Sequence, residues 1–271
     1  LNAMLRKERP ELLVTALPTD LHATVAITAM RRGCHVFSEK PMALTVRECD
    51  RICRVAAQTG RRFMTAQCLR FWPEYEALLT AVREQPYGPL QSLTMTRIGS
   101  YATWSDWFNN GARSGGAILD LHLHDVDWAF HAFGAPAALW AAGRRGKTGE
   151  YDDVTAVWQY PEFNVTLRGS WMYQGFCMSF QALFAEAAMD FGMHPDPALR
   201  VRRAGNAEAE KIAVPAESGY QREIRYFLDV IRGCREHDLC PPESTRNSVQ
   251  MVYMEREAIA KSRPVTKFKL I

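Results

Sequence analysis

The chain has 271 residues, 47% of them hydrophobic and 23% charged, with 33 Lys and Arg against 30 Asp and Glu. These are values of a globular protein rather than a disordered one, and a formal net charge of +3 leaves no electrostatic footprint for nucleic acid. No apolar run reaches the ~18 residues of a membrane span. Seven cysteines without a repeating frame fit a reduced, cytoplasmic protein better than a disulfide scaffold.

Asn2-Ala3-Met4 resembles the scar of a cleaved purification tag, which places residues 1–3 outside the expected fold. Residues 11–16 (ELLVTA) then read as a short buried strand, and residues 20–32 as a helix stopped by Gly33. A second strand is expected over 35–38. Thr45-Val46-Arg47-Glu48 is a capping box that opens a helix running to Gly60, and residues 62–66 make a third strand. This alternation predicts a parallel α/β sheet. After about residue 70 the rhythm changes. A helix near 74–83 and a strand near 91–99 lead into an aromatic-rich loop (Tyr101, Trp104, Trp107, Phe108) and a helix over 117–133. Strand-like runs follow at 137–143, 154–160, 165–171, 178–185 and 199–202, and helices at 220–234 and 244–261 close the chain. Neighbouring strands with few helices between them predict a mostly antiparallel sheet. The expected fold class is α/β plus α+β, divided into residues 1–69 and 70–271.

Two constellations carry chemistry. Ser38-Glu39-Lys40-Pro41 stands at the C-terminal end of a parallel strand, where open α/β sheets bind ligands. The tripeptide Glu-Lys-Pro also serves as an ordinary solvated turn. In the helix over 117–133, Asp120, His124 and Asp127 stand at i, i+4 and i+7 and so share one face of an otherwise apolar segment. Such a polar stripe costs several kcal/mol to bury unless it is partnered, which marks either a site or a hydrogen-bonded core network. Ser114-Gly115-Gly116 before it permits close backbone approach. Metal binding by His122 and His124 is the rival reading, but helical periodicity points i and i+2 to different sides. Cys49 and Cys53 read as core thiols, and no metal is expected. Gly143 to Thr148 imitates a P-loop without its first glycine and reads as a hairpin loop.

Taken in order, Pro18-Thr19-Asp20-Leu21-His22, Glu39-Lys40-Pro41, and Ser114-Gly115-Gly116 with Asp120, His124 and Asp127 resemble the glucose–fructose oxidoreductase, inositol dehydrogenase and rhizopine-catabolism (Gfo/Idh/MocA) family. The resemblance implies a Rossmann domain followed by a large mixed-sheet domain for substrate binding and oligomerisation. It further implies hydride transfer between NAD or NADP and a sugar, polyol or related hydroxy compound, in a homo-oligomer. By similarity, Lys40, Asp120 and His124 form the catalytic set. Pro18, Thr19, His22, Glu39, Lys40 and Arg70 lie along the dinucleotide. Asp127 looks like a substrate-hydroxyl ligand, and His122 stands where relatives commonly have Gly, either adding a pocket contact or filling space. Trp104 and Trp107 of the aromatic loop, and Tyr173, are candidates for the wall of the sugar pocket, although isolated aromatics more often belong to a core.

The sequence departs from the family pattern at its start. It contains no G-x-G-x-x-G, and beside the family layout it begins about 50–60 residues late. The expectation is a truncated Rossmann domain with weakened or lost cofactor binding and a bare apolar edge at residues 12–16, covered by another copy, by a rearranged terminus, or not stably. Two other functions compete with the oxidoreductase: a non-catalytic assembly or carbohydrate-binding remnant, and a metal-dependent hydrolase using His122 and His124. The absent glycine loop favours the remnant; the intact Lys40, Asp120 and His124 favour the enzyme.

Overall fold

The computed structural model describes every residue except Lys269. The chain begins with helix α1 (Asn2–Glu8), whose residues 2 and 3, expected as a tag remnant, are exposed, while Leu5 further along is buried in the main core. The first sheet follows: β1 (Leu12–Thr15), α2 (Thr19–Arg31), β2 (His35–Ser38), α3 (Val46–Thr59) and β3 (Phe63–Thr65). The strands are parallel in the order β1-β2-β3, with Val14 paired to Phe37 and Phe37 to Met64. β1 is an edge and Val14 is 63% exposed. The capping box is as expected: Thr45 Oγ1 accepts the Glu48 amide at 3.2 Å and Glu48 Oε2 accepts the Thr45 amide at 3.0 Å.

A single turn of 3-10 helix (Cys68–Phe71) connects to α4 (Pro73–Glu84) and β4 (Leu90–Ser100). After the short α5 (Gly111–Ser114), the segment expected as one helix over 117–133 is two pieces, α6 (Gly116–Asp120) and α7 (Leu123–Phe133). The break follows from hydrogen bonding: the amides of Leu121 and His122 both go to the Ala117 carbonyl, and the His124 amide goes to Leu121. The carbonyl of Asp120 is thereby released from the helical ladder. Gly116, at φ +73°, permits the tight entry into α6, where a Cβ would sit 2.5 Å from that of Glu150.

The remaining strands are β5 (Ala138–Arg145), β6 (Tyr151–Gln159), β7 (Asn164–Ser170), β8 (Met172–Phe184), β9 (Ala187–Phe191), β10 (Arg200–Arg203) and β11 (Glu210–Lys211), before α8 (Gly219–Ile231) and α9 (Pro242–Lys261). They form an eight-stranded sheet, β11-β10-β9-β8-β4-β7-β6-β5, antiparallel except for the pair β4 and β7. The P-loop imitation spans the paired end of β5 and the start of the β5–β6 hairpin connection. Alternation sends Leu93, Met95, Val154, Ala156, Trp158, Val165 and Leu167 inward, in one core with residues of α4, α6, α7 and α9. Thr94, Thr155, Gln159 and Arg168 point to the open face.

The last two helices bind the two sheets together. Tyr226, Phe227 and Val230 of α8 pack with Phe37 and Met64 of the small sheet, the Phe37 and Phe227 ring centroids being 5.9 Å apart. Helix α9 touches α3 and β3 on one side and β5 and α7 on the other. The C-terminal ends of β1, β2 and β3 therefore face the α6–α7 segment across a cleft.

Candidate active site

Lys40 lies two residues past the end of β2 and reaches across that cleft. Its Nζ donates to Asp120 Oδ1 at 2.9 Å and to the Asp120 carbonyl oxygen at 3.0 Å. The second bond exists because the break after α6 frees that carbonyl. Both side chains keep some exposure, 19% for Lys40 and 9% for Asp120, so the pair can be reached from the cleft.

Two adjoining cavities share Lys40, Leu121 and Phe176 in their walls. The first, of about 410 Å³, is lined by Glu39, Lys40, Arg97, His124, Tyr220 and Glu223, among others. The second, of about 690 Å³, adds Asp120, Tyr101, Trp104, Phe108 and Trp171. Polar groups converging on a partly aromatic hollow of this size suit a small polar ligand. His124 is held neutral: burial first, then the charges of Lys40 and Arg97, push its pKa well below the ordinary 6.5. Its Nδ1 lies 3.9 Å from Cys68 Sγ, whose thiol burial pushes up to about 12.

The structure places Lys40, Glu39, Asp120 and His124 on the cleft and several other expected residues elsewhere. Arg70 and Asp127 line neither cavity. They form a bidentate ion pair, Nε to Oδ2 at 2.8 Å and Nη2 to Oδ1 at 2.7 Å, with both side chains essentially unexposed. Ser248 Oγ also donates to Asp127, and Arg70 Nη1 donates to the Leu239 carbonyl and Ser244 Oγ. Burial alone would lower the Arg70 pKa, but Asp127 outweighs it and keeps the guanidinium charged. Asp127 follows the expected face of the helix, but a buried arginine meets it there instead of a substrate.

His122 likewise faces away from the cleft. It is fully buried, its Nε2 lies 2.8 Å from Glu255 Oε2 on α9, and its ring fills the space beside Gly169, where a Cβ would come within 2.6 Å of it. Trp158 Nε1 donates to the other Glu255 oxygen at 2.9 Å. Of the two earlier alternatives for His122, the structure matches space filling. His22 is 1% exposed, with Nδ1 2.7 Å from the Pro41 carbonyl oxygen and Nε2 2.7 Å from that of Leu17. The ring is thus packed between two main-chain carbonyls, one on the Lys40-Pro41 turn and one just before α2, and lines neither cavity. Trp107 stacks on Phe108 at 3.9 Å, leaving Trp104 and Phe108 as the cavity wall, and Tyr173 is a 48% exposed residue of β8 outside both cavities. Thr19, beside Pro18 at the start of α2, is 2% exposed and its Oγ1 has no partner among the described residues.

Arg97, Tyr220 and Glu223 escaped the sequence reading, and the first and last had a signal. Arg97 follows Leu93 and Met95 at inward positions of β4, and Glu223 stands three and four residues before Tyr226 and Phe227 on the buried stripe of α8. Arg97 is paired with Asp125 of α7, Nε to Oδ2 at 3.2 Å.

Comparison with known proteins agrees with this architecture. The family model described as an oxidoreductase family with an NAD-binding Rossmann fold matches residues 1–67, and the GFO/IDH/MocA C-terminal domain matches residues 75–189. The chain belongs to the Gfo/Idh/MocA oxidoreductase family. A trans-1,2-dihydrobenzene-1,2-diol dehydrogenase from Bos taurus is 31% identical over 142 residues, 52% of this chain and 42% of the relative. An inositol 2-dehydrogenase from Rhizobium meliloti is 29% identical over 154 residues, 54% of this chain and 46% of the relative. These matches thus span less than half of each relative's own length. Among solved structures, an aldose-aldose oxidoreductase from Caulobacter crescentus complexed with glycerol superposes with a TM-score of 0.87 at 17% identity, covering 98% of this chain and 82% of that one. A levoglucosan dehydrogenase in complex with NADH and L-sorbose gives 0.85 at 17% identity, covering 100% and 83%. At such identities the superpositions speak for the fold.

Proposed function

We propose that this chain is an NAD(P)-dependent oxidoreductase acting on the CH–OH group of a sugar, polyol or related hydroxy compound. The observation that carries the reading is the Lys40–Asp120 bridge across the cleft, in the same hollow as a neutral His124. His124 accepts the hydroxyl proton as general base and returns it in the reverse direction. Lys40 Nζ donates to the reacting oxygen and stabilises its alkoxide character, and Asp120 orients Lys40 for that contact. The aromatic wall of Trp104, Phe108 and Trp171 presents apolar surface to the carbon face of the substrate.

A nicotinamide nucleotide, when bound, supplies the hydride acceptor or donor. The residues suited to its nicotinamide half are those at the C-terminal ends of the parallel strands: Pro18 and Thr19 at the start of α2, with the buried Thr19 hydroxyl in need of a partner, and Glu39 and Lys40 after β2. The seven free cysteines support a reducing, cytoplasmic setting. The open face of the large sheet, with Trp140 45% and Leu183 41% exposed, supports a homo-oligomer. Among the described residues no helix is long and apolar enough to cross a membrane.

Titration with NADH and with NADPH, followed by a screen of cyclic polyols for nucleotide-linked turnover, tests the reading. Saturable binding with turnover is expected. Absence of both at millimolar nucleotide would refute it for this chain and favour the assembly or carbohydrate-binding remnant, which retains polyol binding without hydride transfer.

A further inference from the structure

Glu223 is a carboxyl group for which the packing provides no cation among the described residues. It is 2% exposed, it lines the same cavity as Lys40 and His124, and its Oε2 has no hydrogen-bond partner among the described residues. The two positive groups in the cavity wall are already engaged, Lys40 by Asp120 and Arg97 by Asp125. The other ionisable groups acting on it are Glu39 after β2, which repels its charge, Tyr220 on its own helix, and the thiols of Cys68 and Cys240. Burial first, then Glu39, pushes its pKa up to about 8, so at neutral pH it carries a proton. A neutral carboxyl group is a hydrogen-bond donor, and a donor kept in a solvent-poor wall without an acceptor is costly to retain.

We infer that Glu223 is a ligand-binding residue whose carboxyl O–H donates to an uncharged oxygen of a molecule bound in the cleft. That oxygen belongs either to a substrate hydroxyl or carbonyl, or to the carboxamide of a nicotinamide. The inference rests on the reading of this cleft as the place where the reactants meet. An uncharged acceptor fits because an anionic one would stand beside Glu39, which already opposes negative charge there. A substrate or cofactor oxygen held by this donor at one side and by Lys40 at the other would be fixed at two points, which is what orientation for reaction requires.

The test uses the full chain with 13C-labelled glutamate carboxyl groups, the Glu223 resonance being the one lost in Glu223→Gln. It is titrated at pH 7 with nicotinamide mononucleotide alone, and separately with myo-inositol, D-glucose and 1,5-anhydroglucitol. Movement of the resonance in the mononucleotide arm places the acceptor on the cofactor, and movement in a polyol arm places it on the substrate. In either case Glu223→Ala should weaken that ligand about tenfold, and Glu223→Gln, which keeps a neutral donor, should stay within about threefold of the parent. A resonance that no probe moves overturns the inference, whatever the turnover. A resonance that moves in a chain showing no hydride transfer overturns the oxidoreductase reading and leaves the Glu223 assignment standing.

Discussion

Replacing Glu223 by Gln should make the protein more stable, and by an amount that grows with pH. In the unfolded chain this carboxyl has its ordinary value of 4.5; in the fold, burial and Glu39 raise it to about 8. The folded state therefore binds the proton more tightly, and its stability relative to the unfolded chain is fully present below 4.5. It is lost as pH rises towards 8, because ionisation is then demanded of a group the fold keeps neutral. Each pH unit in that window is worth about 1.4 kcal/mol, so the loss reaches about 3 kcal/mol at pH 7 and about 5 kcal/mol once the folded group has itself ionised.

Glutamine has nearly the same shape and never ionises, so the variant escapes the whole of this loss. Urea denaturation of both proteins at pH 5.5, 7 and 8.5 isolates the effect, since titrations common to the two chains cancel in the difference. The stability difference in favour of the variant should widen by about 3 kcal/mol between the lowest and highest pH. A difference that does not change with pH would show that water or a cation reaches the carboxyl, and the argument from burial would fail. A ligand accepting a hydrogen bond from the neutral acid should raise the folded value and extend the steep part of the curve at its alkaline end, leaving its acid end at 4.5.

The other expectations concern the reaction and the core. Lys40→Ala and His124→Ala should each reduce kcat/KM for a turned-over polyol by about 10²-fold or more with the circular dichroism spectrum unchanged, measured by nucleotide absorbance; unchanged turnover in both removes them from the mechanism. Because burial and the charges of Lys40 and Arg97 depress the His124 pKa, the acid limb of the kcat/KM profile should lie below pH 6.5. Asp127→Ala should cost about 3–5 kcal/mol in denaturant unfolding by leaving the Arg70 guanidinium buried without its carboxylate, whereas Arg70→Met with Asp127→Leu should recover most of the loss. At His122, burial opposes the proton but Glu255 outweighs it and raises the pKa. The stability this pair adds is therefore complete below pH 6.5 and fades as pH rises through the raised value, so the deficit of His122→Gln in thermal unfolding should shrink towards alkaline pH.

The parts of the fold legible in the sequence were those set by local rules. The Thr45–Glu48 capping box, the three parallel strands and the alternation in β6 and β7 are short-range patterns that tertiary packing did not override. The site was legible where its residues sit at the ends of elements, as Lys40 does after β2. It was not legible where a long-range partner decides a side chain's direction. Helical spacing put Asp127 beside Asp120 and His124, yet no local pattern shows that Arg70, 57 residues away, will take its carboxylate. The same holds for His122 and Glu255, 133 residues apart, and for the bifurcated hydrogen bonding at Ala117 that splits the helix. Among the aromatic candidates residue type alone does not separate wall from neighbour: Trp104 lies in the cavity wall, whereas Trp107 stacks on Phe108 and Tyr173 lies outside both cavities.

The buried ion pairs absent from the reaction still bear on it. Helix α7 is only 11 residues long, and apolar packing by itself discriminates weakly between its present register and one shifted by a turn. Two carboxylates and a histidine at or near its first turns are tied to three different elements: His122 to Glu255 of α9, Asp125 to Arg97 of β4, and Asp127 to Arg70 of the 3-10 turn. Pairs of this kind add little net stability over apolar isosteres. A slip of α7, however, would leave several buried charges unpaired at once, a penalty far larger than the apolar contacts at stake. The ties thus fix α7 with respect to both sheets, and with it the position of His124 relative to the Lys40–Asp120 bridge. Of the polar stripe that the sequence displays on one face, Asp120 and His124 line the cleft, and the buried Asp127 joins Asp125 and His122 in holding the helix where the cleft needs it.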